Sequence, residues 1–174
     1  GWRRLVAFLL LTFGWSWAFW VPKAVVAVGL VEGVPVLPEL GAFGPTVAAF
    51  ALVVHTDGVS GARRLAGRAV QLDFPTRWLV VALAFSPLVV GAALVVAVLT
   101  DTTPSVPWAG APVVLPVAFV FIFLLGGPLQ EEFGWRGVLL DSLQDRFTAL
   151  ESGVLVGIVW SIWHLPLFYI PSET

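Results

Sequence analysis

The chain has 174 residues, of which 59% are hydrophobic and only 11% are charged. A soluble domain has about 25% charged and about 45–50% apolar residues, so this composition excludes an ordinary soluble domain and indicates a membrane protein. The net charge of −2 gives no basis for nucleic acid as a partner, and the absence of cysteine excludes disulfides and thiolate metal sites.

Five apolar stretches are long enough, or nearly so, to cross a bilayer about 30 Å thick as helices. We therefore predict an all-α fold, a polytopic transmembrane helical bundle of about five spans in a single transmembrane domain, residues 1–174. The predicted spans, in chain order, are Leu5–Val31 with a kink or early exit at Pro22 and Lys23, then Pro38–Val54, Trp78–Leu99, Val113–Leu140 and Ser152–Ile170.

The charged residues between the spans predict the orientation of the chain. The loops on one side hold Arg3, Arg4, Arg63, Arg64, Arg68, Arg77 and Arg146, and the other loops hold Glu32, Glu39 and Asp101, with Lys23 as the only cation. Since positive charge favours the cytoplasmic side, we predict a multi-pass membrane protein with a cytoplasmic N-terminus.

Two polar segments are predicted to be loops. The stretch "SGARRLAGRAVQLDFPTRW" (60–78) is predicted to be a loop, with or without a short amphipathic helix at the interface. Its arginines are predicted to set the topology and contact anionic lipid, with substrate docking as the alternative role. The stretch "TDTTPSVPWAGAP" (100–112), rich in Pro and Thr, is predicted to be an external loop.

The stretch "GGPLQEEFGWRGVLL" (126–140) places three charges inside the fourth span. Because the next polar cluster begins at Asp141, Glu131 is predicted to lie ten residues, about 15 Å, inside the membrane. The fifth span enters from the same side after Glu151, and His164 lies thirteen residues along it, about 20 Å deep. Two spans thus carry ionisable groups to a similar depth, which predicts a site.

The spacing within this stretch predicts which groups pair. Glu132 and Arg136 are four residues apart and can form an ion pair along one helical face, whereas Glu131 is rotated by about 100° from Glu132. The sequence "GGP" (126–128) is predicted to interrupt the helix just before the glutamates, because Pro128 has no N–H and would leave the Leu124 carbonyl without its helical partner. A polar cavity lined by the three charged residues would satisfy that carbonyl.

On the fifth span, Trp160 and His164 are also four residues apart, so the indole can pack beside the imidazole. A Glu–Arg pair that joins helices and a hydrogen-bonded packing histidine would be a purely structural interpretation. However, ionisable groups within a bilayer cost several kcal/mol and are functional by default, and the second glutamate needs a proton, a cation or His164 as its partner. A carboxylate with an imidazole suits the activation of water or a proton relay.

The segments "QEEFGWRGVLL" and "GIVWSIWHLPLF" resemble the intramembrane proteases related to the CAAX prenyl endopeptidase and bacteriocin-processing enzymes, also called the abortive-infection family. The family motif E-E-x-x-x-R is matched by Glu131, Glu132 and Arg136, and F-x-x-x-H is matched by Trp160 and His164. We expect the change from Phe to Trp to keep an aromatic shelf and to matter little. The segment "GAFGPTVAAF" of the second span is typical of bacterial members, so the resemblance extends over residues 41–168 and implies a bacterial cell membrane.

By this resemblance, Glu131 is the general base that activates water, Glu132 and Arg136 orient it and balance its charge, and His164 is a catalytic or metal-coordinating partner. The resemblance leaves open a divalent metal such as zinc, with Glu131 and His164 as ligands. The H-E-x-x-H zinc signature is absent from the sequence, and a zinc site would need at least one more ligand than these two.

The third motif of the family, a second histidine followed four residues later by Asn or a similar residue, has no match. The only other histidine, His55 in "VVHTDG", lacks the Asn and is predicted to be a solvated loop residue. The chain also begins at Gly1 and contains no methionine. We therefore expect a partial domain, clipped at the front and lacking C-terminal spans, that is inactive by itself.

The leading hypothesis is an intramembrane endopeptidase that hydrolyses a peptide bond in a peptide or protein, prenylated or not, through a Glu-activated water with His support. Its expected partners are that substrate and the lipid bilayer. One alternative is a non-catalytic scaffold or immunity protein on the same fold, and another is a proton-coupled transporter. The sequence indicates neither the substrate nor the oligomeric state.

Overall fold

The computed structural model describes residues 1–33, 40–71, 73–100, 102 and 113–171. Every regular element in this part of the chain is helical, which confirms the all-α prediction. The α-helices are α1 (Trp2–Ala27), α2 (Gly44–Gly67), α3 (Thr76–Leu99), α4 (Val114–Leu125), α5 (Pro128–Gly134), α6 (Asp141–Gln144) and α7 (Ala149–Trp163). A π-helix, Trp135–Leu140, joins α5 to α6, and 3₁₀ turns cover Gly41–Phe43, Arg68–Val70 and Leu165–Tyr169.

Among the described residues, five helical stretches are long and apolar enough to cross a membrane, as predicted: Trp2–Ala27, Gly41–Val70, Thr76–Leu99, Val114–Gln144 and Ala149–Tyr169. The second stretch is longer than predicted, because α2 runs past Val54 to Gly67 with a break at Gly58, where φ is 67°. The predicted loop after Ser60 therefore begins as helix. Residues 38 and 39, Asp101 and positions 103–112 of the predicted external loop lie outside the described part.

The described residues form two compact units. Residues 1–69 and 119–174 make up the first, and residues 70–118 the second. In the second unit, α3 exposes its apolar side chains on every face and buries none of its residues. The single transmembrane domain stays a prediction.

The core of the first unit is organised around one face of α1. Its buried residues recur at helical spacing and include small polar side chains as well as aromatic ones. They are Leu5, Phe8, Thr12, Ser16, Trp20 and Ala24. This face packs against α2, and the core also includes Trp135 of the π-helix and Trp163 of α7.

Two glycines allow helices of the first unit to approach closely. A Cβ on Gly44 would meet the backbone oxygen of Thr12 at 2.8 Å, and a Cβ on Gly134 would meet the backbone carbon and oxygen of Pro45 at 2.7 Å. Helix interfaces within membranes are often formed by such small residues. Gly134 therefore fixes the distance between α5 and α2, next to the glutamate pair.

Replacing Gly134 with alanine is expected to lower the free energy of unfolding by about 1–3 kcal/mol, because the new methyl group has no space against the Pro45 backbone. The matched control is Gly153→Ala on α7, where a Cβ meets nothing within 4 Å. The measurement is thermal or denaturant unfolding in detergent micelles. Equal stability of the two variants would contradict this packing.

Three contacts in the first unit involve arginines near the ends of helices. Arg4 lies 3.4 Å from Asp57, and Arg68 pairs with Asp141 at 2.5 Å. The guanidinium of Arg146 lies 5.4 Å from the centroid of the Trp2 ring. These contacts bring together ends of segments that the charge distribution assigns to one side of the membrane, and they give Arg4 and Arg68 protein partners that were not predicted.

Candidate active site

The predicted interruption of the fourth span is confirmed at Gly126–Gly127, between α4 and α5. Gly127 has a φ of 124°, a conformation that side chains strongly disfavour, and Pro128 then begins α5. The side chain of Gln130 satisfies the interrupted backbone: its Nε2 donates to the Leu124 carbonyl, and its Oε1 accepts from the Gly127 N–H at 2.9 Å. The prediction that a cavity lined by the charged residues satisfies this carbonyl is therefore wrong.

Gln130 is buried and also links α5 to the neighbouring helix. Its backbone carbonyl accepts a hydrogen bond from the Thr46 hydroxyl of α2. Together with the tight contact between Gly134 and Pro45, this bond holds both ends of α5 against α2. The glutamates that follow Gln130 thus lie on a short, firmly held helix.

The Glu131 carboxylate is half-buried and points towards two indoles. Its Oε2 accepts hydrogen bonds from Trp160 Nε1 at 2.7 Å and from Trp135 Nε1 at 3.3 Å. Its Oε1 lies beside Gly127, where an added Cβ would be only 2.8 Å from it. One oxygen of the carboxylate is therefore held by protein donors, and the other lies against the glycine of the helix break.

The second glutamate faces a different partner. Glu132 Oε1 pairs with Arg136 Nη1 at 2.7 Å, and both side chains are exposed. This geometry confirms the predicted pairing along one helical face. Glu131 and Glu132 thus differ in their surroundings, since Glu131 accepts only neutral donors while Glu132 is neutralised by a cation.

His164 lies among aromatic rings at the end of α7. The helix ends at Trp163 and the chain continues as a 3₁₀ turn, so His164 is not inside a continuous helix as predicted. Its ring centroid is 4.2 Å from that of Trp160 in an edge-to-face contact, which confirms the predicted packing, and 4.6 Å from that of Trp163. Trp20 of α1 lies on another side at 6.3 Å.

A backbone hydrogen bond selects the tautomer of the neutral His164 ring. Its Nδ1 lies 2.8 Å from the carbonyl oxygen of Trp160. Because a carbonyl can only accept, Nδ1 carries the proton, and in the neutral ring Nε2 carries the lone pair. A pocket of about 310 Å³ opens at this point, and its walls include His164, Trp160 and Ser161.

The structure brings Glu131 and His164 together through one residue. The side chain of Trp160 contacts the glutamate, and its backbone and ring contact the histidine. Glu132 and Arg136 form a separate pair on the same helical segment. Sequence reasoning missed Gln130, Trp135 and Trp163, although a glutamine three residues after Gly127 in an apolar run was a signal for a helix cap.

A metal ion would need ligands from outside this set of residues. Among the described residues, no group of three or more His, Asp or Glu side chains could hold one. Glu131 and His164 supply two donors, whereas a catalytic zinc site uses three protein ligands. His55 does not add a third, since it is an exposed residue within α2 rather than the loop residue predicted.

Comparison with known proteins supports the resemblance seen in the motifs. Residues 112–172 match the family described as Type II CAAX prenyl endopeptidase Rce1-like. A curated relative, CAAX prenyl protease 2 of Methanococcus maripaludis, is 44% identical over 57 residues. That match covers 33% of this chain and 21% of the relative's length, and no solved structure matches. The predicted family resemblance is therefore confirmed over the segment that carries both motifs.

Proposed function

Because the matched segment contains both motifs, we propose that this chain carries catalytic residues of a CAAX-type intramembrane endopeptidase. The substrate is a peptide or protein, prenylated or not, cleaved near the cytoplasmic leaflet. With the cytoplasmic N-terminus that the charge distribution predicts, the start of α1, where Arg4 pairs with Asp57, faces the cytoplasm. The observation that carries the proposal is the shared residue Trp160, which joins a half-buried carboxylate to an imidazole beside an open pocket.

The first step is the activation of water. Glu131 Oε1 removes a proton from a water molecule while the water oxygen bonds to the carbonyl carbon of the scissile peptide, which becomes a tetrahedral oxyanion. Glu131 then returns that proton to the amide nitrogen as the carbon–nitrogen bond breaks. Oε2 keeps its indole donors throughout, so the carboxylate does not rotate between the two proton transfers.

The other residues act around this exchange. His164 accepts a hydrogen bond from the attacking water at Nε2, because its Nδ1 proton is held by the Trp160 carbonyl. Arg136 balances the charge of Glu132, so that Glu131 is the carboxylate left without a cationic partner in the described part of the site. No step in this scheme passes through a metal ion, since the described residues do not complete a metal site.

The test is hydrolysis in water enriched in ¹⁸O. The protein, expressed from its complete reading frame and placed in liposomes, is incubated with peptides that end in a CAAX sequence, with and without a farnesyl thioether. We expect one new carboxyl terminus that carries a single ¹⁸O atom, detected by mass spectrometry. Intact peptides after many hours would favour the non-catalytic scaffold, and proton flux without cleavage would favour the transporter.

A further inference from the structure

The tryptophan at position 160 does more than provide an aromatic surface. Phenylalanine, which the family motif has at this position, could pack against His164 equally well. It has no N–H group, and therefore could not form the 2.7 Å hydrogen bond to Glu131. The expectation that the change from Phe to Trp matters little overlooked this donor.

Trp160 forms two hydrogen bonds to the site, one as a donor and one as an acceptor. Its indole Nε1 donates to Oε2 of Glu131, and its backbone carbonyl accepts from Nδ1 of His164. Each of the two functional groups has two polar atoms that could face a substrate. Trp160 occupies one atom of each group, and thereby leaves Oε1 of the carboxylate and Nε2 of the imidazole for the reaction.

The surroundings hold Trp160 itself in place. Its ring lies edge to face against the imidazole, with 4.2 Å between the ring centroids. The neighbouring Trp163 is fully buried, and its backbone carbonyl accepts a 3.0 Å hydrogen bond from Trp17 of α1. This bond fixes the last turn of α7 against α1. The backbone that carries Trp160 is therefore held in place, and its indole N–H keeps its direction towards Glu131.

We propose that Trp160 is a positioning residue that aligns the general base and the histidine as one unit, through its side chain for Glu131 and through its backbone for His164. This proposal rests on the proposed function. Trp135 is the auxiliary donor, since its hydrogen bond to the same oxygen is longer, at 3.3 Å. Its ring is held in the core against Phe8 and Trp163.

The kinetic test is Trp160→Phe, which removes the donor and keeps an aromatic ring. We expect kcat to fall about tenfold with KM nearly unchanged, because the ground-state pocket persists while the alignment of the base is lost. Trp2→Phe is the matched control, since Trp2 lies at the start of α1 beside Arg146. A Trp160→Phe variant that cleaves at the rate of Trp2→Phe would overturn the proposal.

A second measurement needs no turnover. Indole N–H resonances are recorded on ¹⁵N-tryptophan-labelled protein, and Trp135→Phe and Trp160→Phe assign the two donors. In Glu131→Leu, we expect the Trp160 proton to move upfield by more than those of the seven tryptophans outside this pair. An unchanged Trp160 resonance would overturn the hydrogen bond and with it the proposal. Failure of the wild-type protein to cleave any peptide, with the Trp160 shift still observed, would overturn the proposed function while the hydrogen bond stands.

Discussion

Replacing Glu131 with glutamine is expected to lower the rate of peptide cleavage by about 10²–10⁴-fold, the range attributed to general acid–base catalysis. The amide oxygen of glutamine can still accept hydrogen bonds from Trp135 and Trp160, so the packing of the site is preserved. What is lost is the ability to accept a proton from water, because an amide is not a base. The measurement is the initial rate of ¹⁸O-containing product formation.

The control for this substitution is Glu32→Gln. It makes the same chemical change at an exposed carboxylate after α1, outside the candidate site, and should leave the rate unchanged. The melting temperature of each variant shows whether the fold is retained. If Glu131→Gln cleaved at the wild-type rate, the assignment of Glu131 as the base would be wrong.

Replacing Gln130 with leucine is expected to cost about 2–5 kcal/mol of stability, the largest effect on folding that we predict. The side chain satisfies both the Leu124 carbonyl and the Gly127 N–H, and leucine can satisfy neither. Each buried backbone group left without a partner costs about 1–3 kcal/mol, and lipid offers no replacement. The measurement is the free energy of unfolding in micelles.

Two further variants make this prediction specific. Gln144→Leu makes the same change at an exposed position at the end of α6, and should alter stability by less than about 0.5 kcal/mol. Gln130→Glu keeps an acceptor for the Gly127 N–H but, when ionised, has no donor for the Leu124 carbonyl, so at least that bond is lost. Wild-type stability of Gln130→Leu would show that the helix break is satisfied in another way.

Apolar length and motif spacing were enough to predict much of this molecule. The five spans follow from hydrophobic runs, and the Glu132–Arg136 pair follows from helical periodicity. Counting residues from the predicted membrane boundaries placed Glu131 and His164 at similar depths. The contacts of both residues with Trp160 agree with that estimate.

The features that were not predicted depend on which hydrogen-bond partners the polar groups of the backbone and of the side chains find. Local spacing identified Pro128 as a helix breaker, but could not show that Gln130 would turn back to serve the carbonyl before the break. Nor could it show that Trp135 and Trp160, on different segments, converge on one carboxylate oxygen. Such choices depend on the rotation of each helix about its own axis, which a hydrophobic run specifies only coarsely.

The π-helix at Trp135–Leu140 changes the direction in which the later part of the fourth membrane segment faces, relative to the earlier part. An α-helix turns each successive residue by about 100°, so a rigid α-helix would tie the direction of Glu131 to that of every later residue. The wider winding inserts a register shift between them. Glu131 can therefore face Trp160 while Asp141, beyond the shift, faces Arg68. The π-helix therefore sets the direction of Glu131, the proposed base, relative to the Asp141–Arg68 ion pair, and a one-residue deletion in this stretch would change that relative direction.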